Sequence, residues 1–167
     1  MAPKKQSLPD KTKVREALLA EMRAALAAMA QSARDAAEGA THEENRSEGD
    51  KDMRATEESY VARGKAMRTE ELADELARAQ AGAFRAYASS DPIGPGALVR
   101  VLVDDAPRVF LVSPYGGGRS LRIDGTEITV VAPATPVGSA LVGKRVGDDF
   151  ELALKGAMRE WVIDAIA

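Results

Sequence analysis

The chain has 167 residues, its charged side chains nearly balance to a formal net charge of −3, and it contains no cysteine. The lack of a basic excess argues against a protein that holds free DNA or RNA over a broad surface. The lack of cysteine excludes disulfides, zinc ribbons and thiol catalysis. No apolar run is long enough for a signal peptide or a membrane span, which predicts a cytoplasmic protein without membrane contact.

The first half of the sequence predicts a long helix from about Thr12 to Glu38. Apolar and small residues recur there at alternating spacings of four and three, the pattern of a helix that packs along another helix. These positions are Leu18, Met22, Ala25, Met29, Ser32 and Ala36. The helix overlaps a basic start that we expect to be solvated, formed by Lys4, Lys5, Lys11, Lys13 and Arg15.

A second helix is predicted from roughly Asn45 to Tyr87. Its N-terminal half repeats an apolar residue every seven positions, at Met53, Tyr60 and Met67. Its C-terminal half has the four-three spacing, at Leu72, Leu76, Ala79 and Ala83. Two such helices bury their seams against each other as an antiparallel hairpin, which we assign to residues 1–88.

The turn of this hairpin is predicted between residues 39 and 50. Gly39 suits the C-terminus of the first helix. Thr41 suits the N-cap of the second, and with Glu44 it forms a Thr-x-x-Glu capping box. The tip is acidic, and the residues expected to shape it besides Thr41 are Glu43, Glu44, Asn45, Glu48 and Asp50.

The second half of the sequence predicts a small β-rich domain over residues 97–167, after a linker at 89–96 with two prolines and two glycines. Its strands are expected at Ala97–Val103, Arg108–Ser113, Glu127–Ala132, Glu151–Leu154 and Glu160–Ile166. A short helix is expected from Pro136 to Val142, capped by Thr135 and followed by Gly143. The fold class is therefore α+β, a helical hairpin before antiparallel strands around one short helix.

The stretch from Ile128 to Asp148 resembles the signature of the Gre transcription factors. In that family a strand, a Ser-Pro or Thr-Pro helix start, an Ala-Leu-hydrophobic-Gly-Lys helix end and a Gly-Asp turn follow one another. The matching residues here are Thr135, Pro136, Ala140, Leu141, Val142, Gly143, Lys144, Gly147 and Asp148. The order of hairpin and domain matches as well, so the resemblance covers nearly the whole chain and is specific around residues 128–150.

The resemblance implies a bacterial transcription elongation factor that is not itself an enzyme. Its C-terminal domain would resemble an FK506-binding protein and dock on RNA polymerase at the rim of the secondary channel. The docking residues implied by the signature are Thr135, Pro136, Ala140, Leu141, Gly143 and Lys144. The hairpin would reach the active centre, touch the nascent RNA only indirectly, and promote cleavage of backtracked transcripts.

Cleavage by such a factor depends on carboxylates at the tip, because two-metal hydrolysis uses hard oxygen ligands and Mg²⁺ prefers oxygen donors. The family tip has an Asp and, three residues later, a Glu followed by Asn. Glu44 and Asn45 match that pair, whereas Thr41 stands in place of the Asp. The resemblance therefore implies Glu44, assisted by Glu43, as a ligand for the polymerase's Mg²⁺, and no cofactor of the chain's own.

Three alternatives stay open at this point. Thr41 in place of Asp favours a regulator that enters the channel without cleaving RNA. A prolyl isomerase or chaperone is the alternative from another class, although the aromatics that would have to surround its substrate are scattered. They are Phe110, Tyr115, Phe150 and Trp161. A dimerising coiled coil is the third, whereas the Gre resemblance implies a monomer.

Overall fold

The computed structural model describes residues 7–44, 52–82 and 84–167, with side chains from residue 43 to 52 left out. The chain divides into two compact units. One, the helical unit, is Leu19–Gln80, and the other, the sheet unit, combines Met1–Leu18 with Ala81–Ala167. An N-terminal helical hairpin followed by a small sheet domain confirms the predicted α+β fold class. The boundaries 1–88, 89–96 and 97–167 remain predictions.

Helix α1 spans Lys11–Glu44. It begins after Asp10, whose carboxylate oxygen Oδ1 accepts hydrogen bonds from the backbone N–H groups of Thr12 at 2.8 Å and Lys13 at 3.2 Å. An aspartate at this place satisfies donors that the first helical turn leaves unpaired. The predicted start is therefore confirmed to within one residue.

The predicted end of α1 is wrong, because the helix passes through Gly39 and continues for six residues beyond Glu38. Thr41 lies inside the helix, where its hydroxyl donates to the carbonyl oxygen of Ala37 at 2.9 Å. Thr41 therefore does not cap a second helix, and the capping box with Glu44 does not form. Extending the helix buries Ala40, which is 7% exposed and follows Ala36 by one turn.

Helix α2 spans Asp52–Ala81, so it begins later than predicted and ends six residues before Tyr87. Gly82, with its low helix propensity, directly follows its last residue. Its shielded face carries Leu72, Leu76 and Ala79, all buried. The half-buried positions that continue this face toward the N-terminus are Ala55, Glu58, Ala62, Lys65 and Thr69.

The predicted seam is confirmed on α1 and only in part on α2. On α1, Leu18 and Met22 are buried, and the other four predicted positions are half-buried. On α2, Met53, Tyr60 and Met67 are more than half exposed, at 77%, 69% and 55%. The five-residue step from Met67 to Leu72 puts the two predicted sets on different faces, and the face with leucines and alanines is the one that is shielded.

The sheet unit contains six strands in the order β3-β4-β2-β1-β6-β5. They are β1 Leu98–Val103, β2 Ala106–Val112, β3 Ser120–Ile123, β4 Thr126–Val131, β5 Asp149–Leu154 and β6 Ala157–Ile166. Five correspond to predicted strands, whereas β3 was not predicted. The pairing of β2 with β4 is parallel, contrary to the all-antiparallel expectation, because β3 doubles back before β4 enters the sheet.

One face of the sheet holds the main hydrophobic core under helix α3, which spans Pro136–Leu141. Trp161 is fully buried there and stacks on Phe110 and Phe150, with ring centroids 5.6 and 5.7 Å apart. Leu141 of α3 is fully buried in the same cluster. The short helix is therefore held to the sheet by a large aromatic and aliphatic contact.

The start of α1 belongs to this sheet unit. Lys13 pairs with Asp124 at 3.1 Å, and the amine of Lys11 donates to the carbonyl oxygen of Ala167 at 2.8 Å. Val14, one turn further along, is fully buried. In the described part of the chain no helix is long and apolar enough to cross a membrane.

Candidate functional site

The first candidate region is the C-terminal turn of α1. Glu43 and Glu44 are the last residues of this helix, and their side chains are outside the description, as are Asn45, Glu48 and Asp50 altogether. The backbone carbonyls at a helix C-terminus carry a partial negative charge, which makes carboxylates there unfavourable by roughly 0.3–1 kcal/mol each. Two consecutive glutamates at this end therefore work against helix stability and concentrate negative potential.

Thr41 occupies the position that matters most for the chemistry. It precedes Glu44 by three residues in the same helix, so the two side chains leave the helix on neighbouring parts of one face. The hydroxyl of Thr41 is exposed but already donates to the Ala37 carbonyl oxygen. The place of the second carboxylate thus holds a neutral group that cannot supply negative charge. His42 is exposed beside it.

The second candidate region is α3 and its flanks, where the residues of the Gre-like signature lie. Thr135 is the N-cap, as predicted. Its hydroxyl donates to the carbonyl oxygen of Ala132 at 2.7 Å and accepts from the backbone N–H of Gly138 at 3.2 Å. Pro136 follows in the first turn, where its missing N–H is not needed. The predicted helix start is therefore confirmed in its bonding.

Gly143 and Lys144 connect α3 to the segment before β1. Gly143 has a φ of 85°, which favours glycine. Its N–H donates to the carbonyl oxygen of Ile93, and the N–H of Ile93 donates to the carbonyl oxygen of Lys144, both at 2.8 Å. The Lys144 ammonium lies 4.9 Å from the centre of the Phe150 ring. This end of the signature is therefore fixed by backbone pairing.

Exposure separates the six predicted docking residues into two groups. Thr135, Pro136 and Gly143 are exposed, and Ala140 and Lys144 are half-buried, so each can touch a partner. Leu141 is fully buried and serves to hold the helix down. Sequence reasoning did not include Ser139 and Val142 among the docking residues, although both are exposed. The helical spacing of 136, 139 and 143 against the buried 138 and 141 was the available signal.

A third group of polar contacts lies at the start of α1. The Lys11 amine donates to the carbonyl oxygens of Arg85 and Ala167 and sits 4.9 Å from the centre of the Tyr87 ring. The Arg85 guanidinium lies 4.0 Å from the same ring centre. Burial, and then the positive charge of Arg85, lower the pKa of Lys11 from 10.5 to about 8. Lys11 is therefore a structural link within the sheet unit rather than part of a solvated arm.

Among the residues that the structure describes, no group of three or more His, Asp or Glu side chains is arranged to hold a metal ion. The predicted tip carboxylates lie outside this test. A Mg²⁺ ligand role for Glu44 therefore depends on an ion that is held mainly by another molecule.

No family model and no curated protein sequence matches the chain. Three solved structures do. The GreA factor homologue 1 (Gfh1) of Thermus thermophilus is 21% identical over 89% of this chain and 94% of its own, with a TM-score of 0.36. A second structure of the transcription factor Gfh1 is 21% identical over 90% and 93%, with a TM-score of 0.39. The Gfh1 of Thermus aquaticus is 19% identical over 90% and 94%, with a TM-score of 0.38.

Proposed function

We propose that this chain is a Gre-type transcription elongation factor that binds bacterial RNA polymerase. The observation that carries the proposal is the way the Gre-like signature is used in the fold. Thr135 caps α3, Gly138 lies against the end of β4, and Gly143 adopts a positive φ. Each motif residue thus has a position that its side chain, or lack of one, explains. The exposed face of α3 is the docking surface.

The acidic end of α1 acts at the polymerase active centre in this proposal. Glu44, with Glu43 beside it, lends a carboxylate oxygen to the Mg²⁺ that the polymerase holds, and a carboxylate suits that hard ion. The helix terminus adds the partial negative charge of its carbonyls. The electrostatic cost of placing two glutamates there is relieved when a cation arrives. The outcome is faster hydrolysis of the backtracked transcript by the polymerase.

A regulator that enters the polymerase without promoting cleavage is the second candidate. The bonding of Thr41 favours it, because the hydroxyl is committed to the Ala37 carbonyl oxygen and supplies no charge. A single carboxylate position then blocks or repositions substrates and does not complete a two-carboxylate ligand set. The two candidates share the docking surface and differ in what the tip does.

The prolyl isomerase alternative is less well supported. Such a site needs aromatic side chains around an open substrate pocket. Here Phe110 and Trp161 are buried and Phe150 stacks on Trp161, so three of the four aromatics considered are used in the core. The remaining one, Tyr115, is half-buried in a loop.

The test is transcript cleavage in a reconstituted, backtracked bacterial elongation complex with labelled RNA and Mg²⁺. The full chain is compared with Glu44→Ala, Glu43→Ala and the control Glu38→Ala, which removes an exposed acid from α1 before the last turn. Rapid 3′-end shortening that is lost in Glu44→Ala but kept in Glu38→Ala supports a cleavage factor. Binding without shortening supports the non-cleaving regulator. Absence of both binding and shortening excludes the proposed function.

A further inference from the structure

Helix α2 has a second seam on the side opposite its shielded face. The positions Met53, Glu57, Tyr60, Gly64, Met67 and Glu71, here called the outer stripe, follow one another at spacings of four and three. All six are exposed. Val61, beside the stripe, is also 53% exposed. Alternating four-three spacing with an apolar residue at every seventh position is the pattern of a helix that packs along another helix.

The hairpin itself does not use this pattern. Met53 and Ala55 are two residues apart, so about 200° of helix rotation separates the outer stripe from the shielded face. That shielded face already supplies the packing of the helical unit through Leu72, Leu76 and Ala79. The apolar residues of the outer stripe are therefore available to another helix, and an exposed apolar stripe of this kind marks an interaction site.

We infer that the outer stripe binds the outer stripe of a second copy of this chain, with the two helices antiparallel. A parallel pair would place Glu57 against Glu57 and Glu71 against Glu71, which like-charge repulsion disfavours. An antiparallel pair with its two-fold axis near residue 62 places Tyr60 of each copy opposite Gly64 of the other. No atom of the chain lies within 4 Å of where a Gly64 β-carbon would be, so this position has room for a tyrosine ring.

The charges beside the stripe are complementary under the same two-fold axis. Glu57 and Arg63 are both exposed, and they lie on opposite sides of residue 62 close to its height. The antiparallel arrangement brings Glu57 of each copy near Arg63 of the other, so one favourable contact occurs twice. Arg68 comes near Arg54 of the second copy, but Arg68 is already paired with Glu71 at 2.9 Å, which reduces that repulsion.

The stripe predicts a weak dimer. Its apolar positions from Met53 to Met67 extend over about 20 Å of helix, and one helix face of that length gives an interface at the small end of specific associations, below about 1,200 Å². A monomer–dimer equilibrium that depends on concentration is therefore expected. The inference does not depend on polymerase binding, since it rests on the exposed face of α2 alone.

The first experiment is sedimentation velocity of the full chain over a concentration series. Wild type is expected to move from monomer to dimer as concentration rises, and Tyr60→Glu is expected to remain monomeric throughout. Tyr60 is exposed, so circular dichroism and the melting temperature should be unchanged by the substitution. A wild-type chain that stays monomeric at its highest soluble concentration would overturn the inference.

The second experiment tests the antiparallel pairing by charge reversal. Glu57→Arg and Arg63→Glu are each expected to weaken self-association by about tenfold or more, because each creates two like-charge contacts. An equimolar mixture of the two variants should restore the dimer, since every contact then joins opposite charges. The matched controls Glu21→Arg and Arg23→Glu change exposed charges on α1 and should leave association unchanged. Failure of the mixture to recover association would contradict the antiparallel pairing.

Discussion

Gly138 of α3 approaches the carbonyl oxygen of Ala132 so closely that a β-carbon on Gly138 would lie 1.9 Å from that oxygen. The same carbonyl accepts hydrogen bonds from the hydroxyl and the backbone N–H of Thr135, at 2.7 and 3.1 Å. Ala132 directly follows β4. The close approach thus lets α3 fold back over the sheet within four residues and brings Leu141 into the core.

Gly138→Ala is expected to lower the free energy of unfolding of the sheet unit by about 2 kcal/mol or more, because the added methyl group must displace backbone rather than a flexible side chain. Denaturant unfolding followed by the fluorescence of Trp161, the one tryptophan of the sequence, measures this. Gly39→Ala is the matched control. Nothing lies within 4 Å of its β-carbon position inside α1, so that change should raise helix stability by about 0.5–1 kcal/mol. Equal effects at both glycines would contradict the packing argument.

The elements that sequence reasoning located well are those with a local cause. Thr135 and Pro136 state a helix start in their own chemistry, and the structure shows both in those roles. The α1 seam from Leu18 to Ala36 was found because its spacing is unbroken over several turns. Signals of this kind need no knowledge of what the segment packs against.

The hairpin tip was placed wrongly because its signals are local and its outcome is not. Gly39 costs a helix interior about 1 kcal/mol relative to Ala, and taken alone it reads as a helix end. Continuing the helix buries Ala40 on the seam, and such tertiary packing overrides propensity. The exposed Met53, Tyr60 and Met67 fit helical spacing equally well, and only the change of face at Leu72 distinguishes them from the shielded residues.

Asp105→Gly is expected to stabilise the sheet unit by about 0.4–1 kcal/mol. The two residues between β1 and β2, Asp104 and Asp105, have φ values of 46° and 67°, as in a type I′ hairpin turn. The other two-residue turns of this sheet have glycine second, at Gly125 and Gly156. Thermal unfolding measures the change. If Asp105→Gly lowered the melting temperature, strain at this turn would not be the dominant effect.

The matched variant Asp104→Gly should be destabilising. The Asp104 carboxylate accepts from Arg159 at 2.8 Å and from the backbone N–H of Glu160 at 3.1 Å, contacts that hold the pKa of Asp104 below its usual value. Removing the side chain loses both contacts and gains only backbone freedom. Opposite signs for two adjacent aspartates would separate the φ requirement from the hydrogen bonds.

Stability is expected to rise with pH between about 8 and 10.5 through Lys11. Its pKa falls from 10.5 to about 8 on folding, so within this window the unfolded chain binds a proton that the folded chain has released, and raising the pH favours folding. Below pH 8 both states are protonated and the burial penalty is fully present. Denaturant unfolding of wild type and Lys11→Met across this window measures the difference.

Lys11→Met should flatten this rise while keeping an apolar stem at the same place. Lys13→Met is the control, because the Lys13 ammonium is exposed and paired with Asp124. The same pH slope in wild type and Lys11→Met would show that the Lys11 amine keeps its proton through its two carbonyl acceptors and the Tyr87 ring.

Val142→Asp is expected to weaken binding to bacterial RNA polymerase core enzyme by about tenfold without unfolding the protein, the size of a moderate interface hot spot. Val142 ends α3 with 39% of its surface exposed, whereas the neighbouring Leu141 is fully buried, so the charge would stand on the docking surface and not in the core. Titration of labelled protein with polymerase measures the affinity. Met158→Asp, at a 63% exposed position on β6, makes the same apolar-to-acid change away from α3. Equal weakening by both would mean that α3 does not define the docking surface, and no weakening by Val142→Asp in a wild-type protein that binds would place the contact elsewhere.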